Sequence, residues 1–276
     1  MLCFMRPLAV SLSLTLAALP ILACLLAPPA RAEAPPTDLV TLEVLPGWRA
    51  DEDRHMAALR LTLAPGWKTY WRAPGAAGLA PIFDFSGSTG IAAAEPRWPV
   101  PDVFDFAGMR SVGYHDAVTI PLDLALDGGP ARLAGAIEIG ARDEIGVPAR
   151  LTFSADLPEG GDRDPVIVAA LVDRPLTAEE AGARATCAVR PDGEGLGLTV
   201  RLALPPLGPD EVVVIGSGDP GRWVSEAASA REGDTLVSTA EALARDGGTP
   251  ALDRSRLRVT VLGEGQAVDV QGCRAG

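Results

Sequence analysis

Gly66-Trp67-Lys68-Thr69-Tyr70-Trp71-Arg72-Ala73-Pro74-Gly75, followed by Gly78-Leu79-Ala80-Pro81-Ile82-Phe83-Asp84-Phe85-Ser86-Gly87, is the stretch whose reading decides the fold. It runs on through Trp98-Pro99-Val100-Pro101 and Phe104-Asp105-Phe106 to Ser111-Val112-Gly113-Tyr114-His115-Asp116, and closes on Val118-Thr119-Ile120-Pro121-Leu122. Three of the 5 Trp, both Tyr, four of the 6 Phe and the chain's one lysine, Lys68, fall within it. Aromatic side chains supply large buried area with a polar handle, so such a cluster marks a core or a binding face. The interleaved Gly and Pro break the chain into short strands and turns and leave no room for a helix. Alternation over residues 67–72 places Trp67, Thr69 and Trp71 on one strand face, and Lys68, Tyr70 and Arg72 on the other.

Outward from this stretch the same grammar repeats. Residues 39–45 and 56–63 read as strands, and in the second Leu59, Leu61 and Leu63 alternate with Arg60 and Thr62. Further strands are expected at 82–85, 118–126, 131–139 and 149–155, with turns at Pro46-Gly47, Pro65-Gly66 and Asp127-Gly128-Gly129-Pro130. Residues 158–185 differ. Asp164 before Pro165 and the apolar run 166–172 make an N-cap, a proline at the first helical position and a helix. Thr177 with Glu180 three residues on is a capping box, which predicts a second short helix. Strands resume at 196–204, 211–217, 236–242, 257–262 and 267–271. Many short strands at this spacing predict an antiparallel sandwich, not a parallel sheet. The expected fold is all-β: two immunoglobulin-like β-sandwich domains, at 33–157 and 186–276, joined by a short helical linker at 158–185.

The first 32 residues read as an export signal. Arg6 is the charged start, residues 8–26 are almost wholly apolar, and Ala30-Arg31-Ala32 is a small-x-small cleavage site. Ile21-Leu22-Ala23-Cys24 carries the alternative, a lipid-modified Cys24. Residues 33–38 are a polar linker. Removal of the signal takes Cys3 and Cys24 with it and leaves Cys187 and Cys273, an even pair in an oxidising compartment. The two are expected to bond to each other, closing a long loop and stabilising by about 4 kcal/mol. The formal net charge of -12 disfavours nucleic acid. No apolar run long enough to span a membrane follows residue 32.

The aromatic stretch resembles the N-terminal periplasmic domain of the DsbD/ScsB family of thiol:disulfide interchange proteins. The matching pieces are Gly66-Trp67-Lys68-Thr69-Tyr70-Trp71-Arg72, Pro74-Gly75 with Gly78-Leu79 and Pro81, Trp98-Pro99-Val100-Pro101, and Gly113-Tyr114 followed by Val118-Thr119-Ile120-Pro121-Leu122. Their order and spacing match as a set over roughly residues 38–157. The resemblance implies a periplasmic location and a periplasmic or thiol-containing protein partner. It also implies a reactive cysteine pair of the form Val-Cys-x-x-x-Cys-x-Pro after the Val-Thr-Ile-Pro-Leu strand. Here the corresponding segment is Ile139-Gly140-Ala141-Arg142-Asp143-Glu144-Ile145-Gly146-Val147-Pro148. With Val147-Pro148 as anchor, Arg142 and Gly146 stand where the thiols would be. Neither a guanidinium nor a glycine replaces a thiolate nucleophile, so no catalytic residue is assigned. In the family a loop caps the reactive site, and 104–113, with Gly108, is the matching candidate.

Other chemistry is sparse. His55 and His115 lack neighbouring ligands of the kind that zinc or copper sites need, so no metal site and no cofactor are expected. Tyr114-His115-Asp116 reads as a turn. Gly193-x-Gly195-x-Gly197 lacks the strand-then-helix context of a phosphate loop. The aromatics then have two readings: the sandwich core, or a partner-binding face built from Tyr70, Arg72, Phe104, Phe106, Tyr114 and His115. Three functions stay open. The first is a non-catalytic binding or accessory module in thiol-disulfide or metal-stress pathways. The second is an active thiol-disulfide protein using Cys187 and Cys273. The third is a binder of extended polypeptide by sheet-edge addition.

Overall fold

Aliphatic residues at every second position form the framework of a computed structural model that describes residues 39–276, except 76, 77, 107, 108, 144, 220, 246, 249 and 250. The expected export signal and its cleavage site, Cys24, the 33–38 linker and Gly108 lie outside the described residues. The first half contains β1 (Val40–Asp51), β2 (Arg54–Leu63), β3 (Lys68–Tyr70), β4 (Ile82–Asp84) and β5 (Ile91–Pro96). It continues with β6 (Asp102–Phe106), β7 (Met109–His115), β8 (Ala117–Leu126), β9 (Arg132–Arg142) and β10 (Gly146–Asp156). Helix α1 (Pro165–Val172) follows. The second half contains β11 (Leu176–Thr177), β12 (Arg184–Asp192), β13 (Gly195–Ala203), β14 (Val212–Gly216) and β15 (Arg222–Val224). It ends with β16 (Ala228–Glu232), β17 (Thr235–Ala244), β18 (Arg258–Gly263), β19 (Gln266–Gln271) and β20 (Arg274–Ala275).

Each half is a pair of stacked sheets, so the fold is all-β and immunoglobulin-like, as expected. In the first half one sheet has the order β1-β2-β8-β5, and the other β10-β9-β3-β7-β6 with β4 beside β9. In the second half the orders are β11-β19-β18-β14 and β15-β17-β13-β12-β20, with β16 beside β17. Pairing is antiparallel except for the two-residue contacts β11 with β19 and β12 with β20. The inward row that the alternation predicts for β2, Leu59, Leu61 and Leu63, is buried, and Ala57, Leu59 and Leu61 face Leu122, Ile120 and Val118 of β8 in register. Full burial of each such aliphatic side chain contributes about 1.5–3 kcal/mol. The first core does not stop at its own sandwich, because Leu262 and Ala267 of the second half join Trp71, Ile120 and Ile137 in it. The second core gathers Leu198, Val200, Leu202, Val259 and Val261 around Cys187.

The helix forms where its signals lie. Asp164 caps it, its Oδ1 accepting from the Val166 N–H at 2.8 Å. Ile167 buries against Trp48 and Ala58 on the far side of the first sheet. The capping box at Thr177 also forms its reciprocal bonds, Glu180 N–H to Thr177 Oγ1 at 3.2 Å and Thr177 N–H to Glu180 Oε2 at 2.8 Å. No helix follows: Leu176 and Thr177 are taken by pairing with β19, and Gly182, at φ +63°, ends the single turn. The expected turn at Pro46-Gly47 is instead a bulge inside β1, where two residues intervene between the Leu45–Ala58 and Trp48–Met56 pairs. Gly47 is obligatory there: its φ is +68°, and a Cβ would lie 1.8 Å from the Met56 carbonyl oxygen.

The bulge turns the Pro46 carbonyl onto His55, whose Nε2–H donates to it at 2.6 Å. His55 is 1% exposed, and burial pushes its pKa below the ordinary 6.5, with the Arg49 cation adding to the effect. The unfolded chain therefore takes up a proton near pH 6.5 that the folded chain refuses. Stability from this group is complete above that pH and declines as the pH falls below it. The melting temperature should drop between pH 7.5 and 5.5, and His55→Gln should flatten that drop. An unchanged pH slope in the variant would reject the assignment.

Candidate functional site

β3 is three residues long, yet it sits at the centre of its sheet, between β9 and β7. Strand alternation turns Thr69, with Trp71 beyond the strand end, into the core, and Lys68 and Tyr70 to the outward face. Register then assembles that face. Lys68 pairs with Arg142 on one side and His115 on the other, and Arg142 pairs with Gly146 across the β9–β10 hairpin. Gly146, Arg142, Lys68 and His115 thus stand in one row over four strands. The neighbouring row runs from Tyr70 through Gly113 to Asp102. Gly113 cannot carry a side chain, since a Cβ would fall 1.9 Å from the Thr69 carbonyl oxygen.

Phe104 ties the two rows together. The Lys68 ammonium lies 4.6 Å from its ring centroid, and the His115 ring meets it edge-on at 6.4 Å. His115 is exposed; its Nδ1 bonds Asp116 Oδ2 at 2.7 Å and its Nε2 lies 3.3 Å from Asp102 Oδ2. Tyr70, by contrast, is only 6% exposed. Two glycines make its slot: a Cβ on Gly78 would come within 2.7 Å of one ring edge, and a Cβ on Gly140 within 2.8 Å of the other. Leu79 packs beside Gly140 and is otherwise open to solvent. At the hairpin tip Ile145 is 76% exposed. Next to it Gly146 has room for a side chain, because the nearest atom to an added Cβ is the Tyr70 hydroxyl at 4.0 Å.

Of the six residues singled out from the sequence, three converge here: Tyr70, Phe104 and His115. Tyr114 faces the other way, buried in the core, with its hydroxyl donating to the Pro99 carbonyl at 2.9 Å and its pKa raised by burial. Arg72 leaves the sheet. It stacks on Trp71 at 4.0 Å and donates from Nη2 to Thr260 Oγ1 at 2.8 Å and Asp269 Oδ1 at 3.1 Å, tying the first half to the second. Burial and the nearby Arg258 cation bring its pKa down to about 10. The side chain of Phe106 lies outside the described residues. Segment 104–113, expected as a capping loop, is a hairpin of β6 and β7 with Phe104 opposite Ser111. The expected turn at 114–116 starts only at Asp116, at φ +57°. Residues 78 and 79 are the ones that cover Tyr70. Gly78-Leu79 is part of the stretch that carries the family resemblance, but its place over Tyr70 shows only in the room that Gly78 and Gly140 leave for the ring between them.

Cys187 and Cys273 are bonded, with Cα atoms 5.8 Å apart and 86 residues between them in sequence. Cys187 is 0% exposed, on the inward face of β12. Arg184 and Arg190 lie an odd number of residues away and are exposed on the opposite face, so neither cation sits against the sulfur. Among the described residues, no three His, Cys, Asp or Glu side chains are grouped so as to hold a metal ion. Nor is any described helix long and apolar enough to cross a membrane.

Residues 41–146 match the family model described as thiol:disulfide interchange protein DsbD, N-terminal, and form a DsbD N-terminal-like domain. Among solved structures the chain is similar to the N-terminal periplasmic domain of ScsB from Proteus mirabilis. The TM-score is 0.67 and the identity 21%, over 88% of this chain and 97% of that one, so the likeness of fold extends over both halves. No curated protein matches the chain.

Proposed function

We propose that the chain is an exported, periplasmic DsbD N-terminal-like protein that binds a partner at the outward face around Tyr70 and carries out no thiol chemistry of its own. In this reading 33–157 and 186–276 are its domains and 158–185 connects them. The observation that carries the proposal is the direct pairing of Arg142 with Gly146. These are the two positions to which the resemblance assigns the family's thiols. Facing residues of an antiparallel pair have Cα atoms roughly 4.5–5.5 Å apart, inside the roughly 4.4–6.8 Å that a disulfide spans. The scaffold thus presents the geometry of a cross-strand cysteine pair, with a guanidinium and a glycine in its place. Around it, exposed Leu79 and Ile145 and the Lys68–Phe104–His115 group offer a surface that mixes apolar area with charge, the composition of a protein-binding face. The partner is a periplasmic or thiol-containing protein. Its pathway, whether thiol-disulfide exchange, metal stress or cytochrome maturation, is carried by analogy of fold. Use of Cys187 and Cys273 as a redox pair is the rival reading, and the complete burial of Cys187 argues against it.

The test is chemical. Wild-type protein equilibrated with glutathione buffers should keep its disulfide until it unfolds, and should not turn over insulin disulfides. The double variant Arg142→Cys, Gly146→Cys should oxidise those two thiols to each other with an unchanged circular dichroism spectrum. Turnover by the wild type would overturn the thiol-free reading. Failure of the introduced pair to bond would overturn the assignment of positions.

A further inference from the structure

β14 is an edge strand: among the described residues it pairs with β18 alone. Its sequence, Val212-Val213-Val214-Ile215-Gly216, has high β-propensity and none of the devices that protect an edge, neither lysine, nor proline, nor a bulge. All five residues line a groove of about 370 Å³ between the two halves. One wall is Ala73, Pro74, Gly75, Gly78 and Ala80 with Arg110, and the other is residues 222–227, which include β15, itself the edge of its sheet. Along the groove floor the side of β14 away from β18 has no strand partner among the described residues, and the flanking side chains can select what lies there. Those side chains include four arginines, Arg72, Arg110, Arg222 and Arg245, and a single acid, Glu226. Glu226 is already engaged by Arg110 at 3.0 Å. Arg72 is likewise held, by Asp269 at 3.1 Å, so selection for acidic side chains falls to Arg222 and Arg245.

We infer that this groove binds an extended acidic polypeptide segment, which adds to β14 as an antiparallel or parallel strand and sets its carboxylates against the arginine walls. Backbone pairing supplies affinity that is indifferent to sequence, and the arginines supply selection for acidic side chains. The groove and its test are independent of positions 142 and 146.

The probe is a fluorescein-labelled peptide of alternating Val and Glu, titrated with the full exported chain at low salt and followed by anisotropy. Saturable binding is expected. The same peptide with Lys for Glu, and the same peptide N-methylated at alternate residues, should each bind at least about tenfold more weakly, which corresponds to about 1.4 kcal/mol. Arg245→Glu should weaken the acidic peptide by about tenfold, while its circular dichroism and melting temperature stay those of the wild type. Backbone amides of Val212–Gly216 should exchange more slowly when the acidic peptide is present. Equal binding of the N-methylated peptide would overturn strand addition, and equal binding of the lysine peptide would overturn the acidic preference. Absence of binding up to millimolar peptide would overturn both. A concentration-dependent dimer that protects the same amides without peptide would assign the edge to a second copy of the chain and overturn the proposal.

Discussion

Trp71→Ala should lower the unfolding free energy by about 3–5 kcal/mol, the range for truncating a fully buried aromatic ring. Trp71 is 0% exposed and sits where the first core runs into the second half, in one cluster with Ile120, Ile137, Leu262 and Ala267. Its backbone N–H is held by the Val112 carbonyl at 3.0 Å, so the chain is fixed there and collapses little around a cavity. The Arg72 guanidinium stacks on the same ring and loses that face as well. The indole N–H has no acceptor among the described residues, which separates two contributions. Trp71→Phe retains most of the apolar area and removes an unsatisfied donor, so it should cost clearly less than the alanine variant. Urea or guanidinium unfolding of the three proteins measures this directly. A loss below about 1 kcal/mol for Trp71→Ala would show that the ring is not the centre of the core and would return it to the binding face.

The second large effect belongs to the disulfide. Removing it by Cys187→Ala should cost about 2–5 kcal/mol, the usual loss for a bridge in a small exported domain. The bond ties β12 to Cys273, between β19 and β20, across 86 residues of sequence. Besides the bond, the C-terminal segment is held by two residues of pairing between β20 and β12, by the Cys273 N–H on the Arg254 carbonyl at 3.0 Å and by the Gly276 N–H on the Cys187 carbonyl at 3.1 Å. Alanine at 187 also empties part of the second core, because the Cys187 side chain is one of its members. Comparison of the variant with wild type unfolded in the presence of reductant separates the lost cross-link from the lost packing. Labelling denatured, unreduced protein with a thiol reagent should find no free thiol; two labelled cysteines would sink the prediction.

Wherever the signal is local, the chain announces its structure. The 2-residue alternation of β2 placed Leu59, Leu61 and Leu63 inward without help from the rest of the molecule. Asp164 before Pro165 placed the start of α1, because an N-cap is satisfied by residues two and three positions on. The pairing of Cys187 with Cys273 followed from elimination, since no other cysteine follows the expected export signal. Gly and Pro marked breaks correctly but not their kind: Pro46-Gly47 serves as a bulge, because β2 continues to pair on both sides of it. β6 and β7 were invisible as strands; their mixed sequence is held extended by pairing to each other and to β3.

Sequence alone therefore determined the all-β class, the inward face of β2, the helix start, the disulfide and the family resemblance of the aromatic stretch. Each of these is set by spacing within a few residues, or by the presence of a residue type. Tertiary structure alone decided which aromatics are accessible. Tyr70 and Arg72 share a strand face by parity, yet one is shut in a slot made by Gly78 and Gly140, and the other is drawn off to Asp269. It also decided that Gly146, Arg142, Lys68 and His115 form a row. Alternation fixes only the side of the sheet on which a residue stands. Its neighbours are fixed by which strands hydrogen-bond and in what register, and those partners lie tens of residues away along the chain.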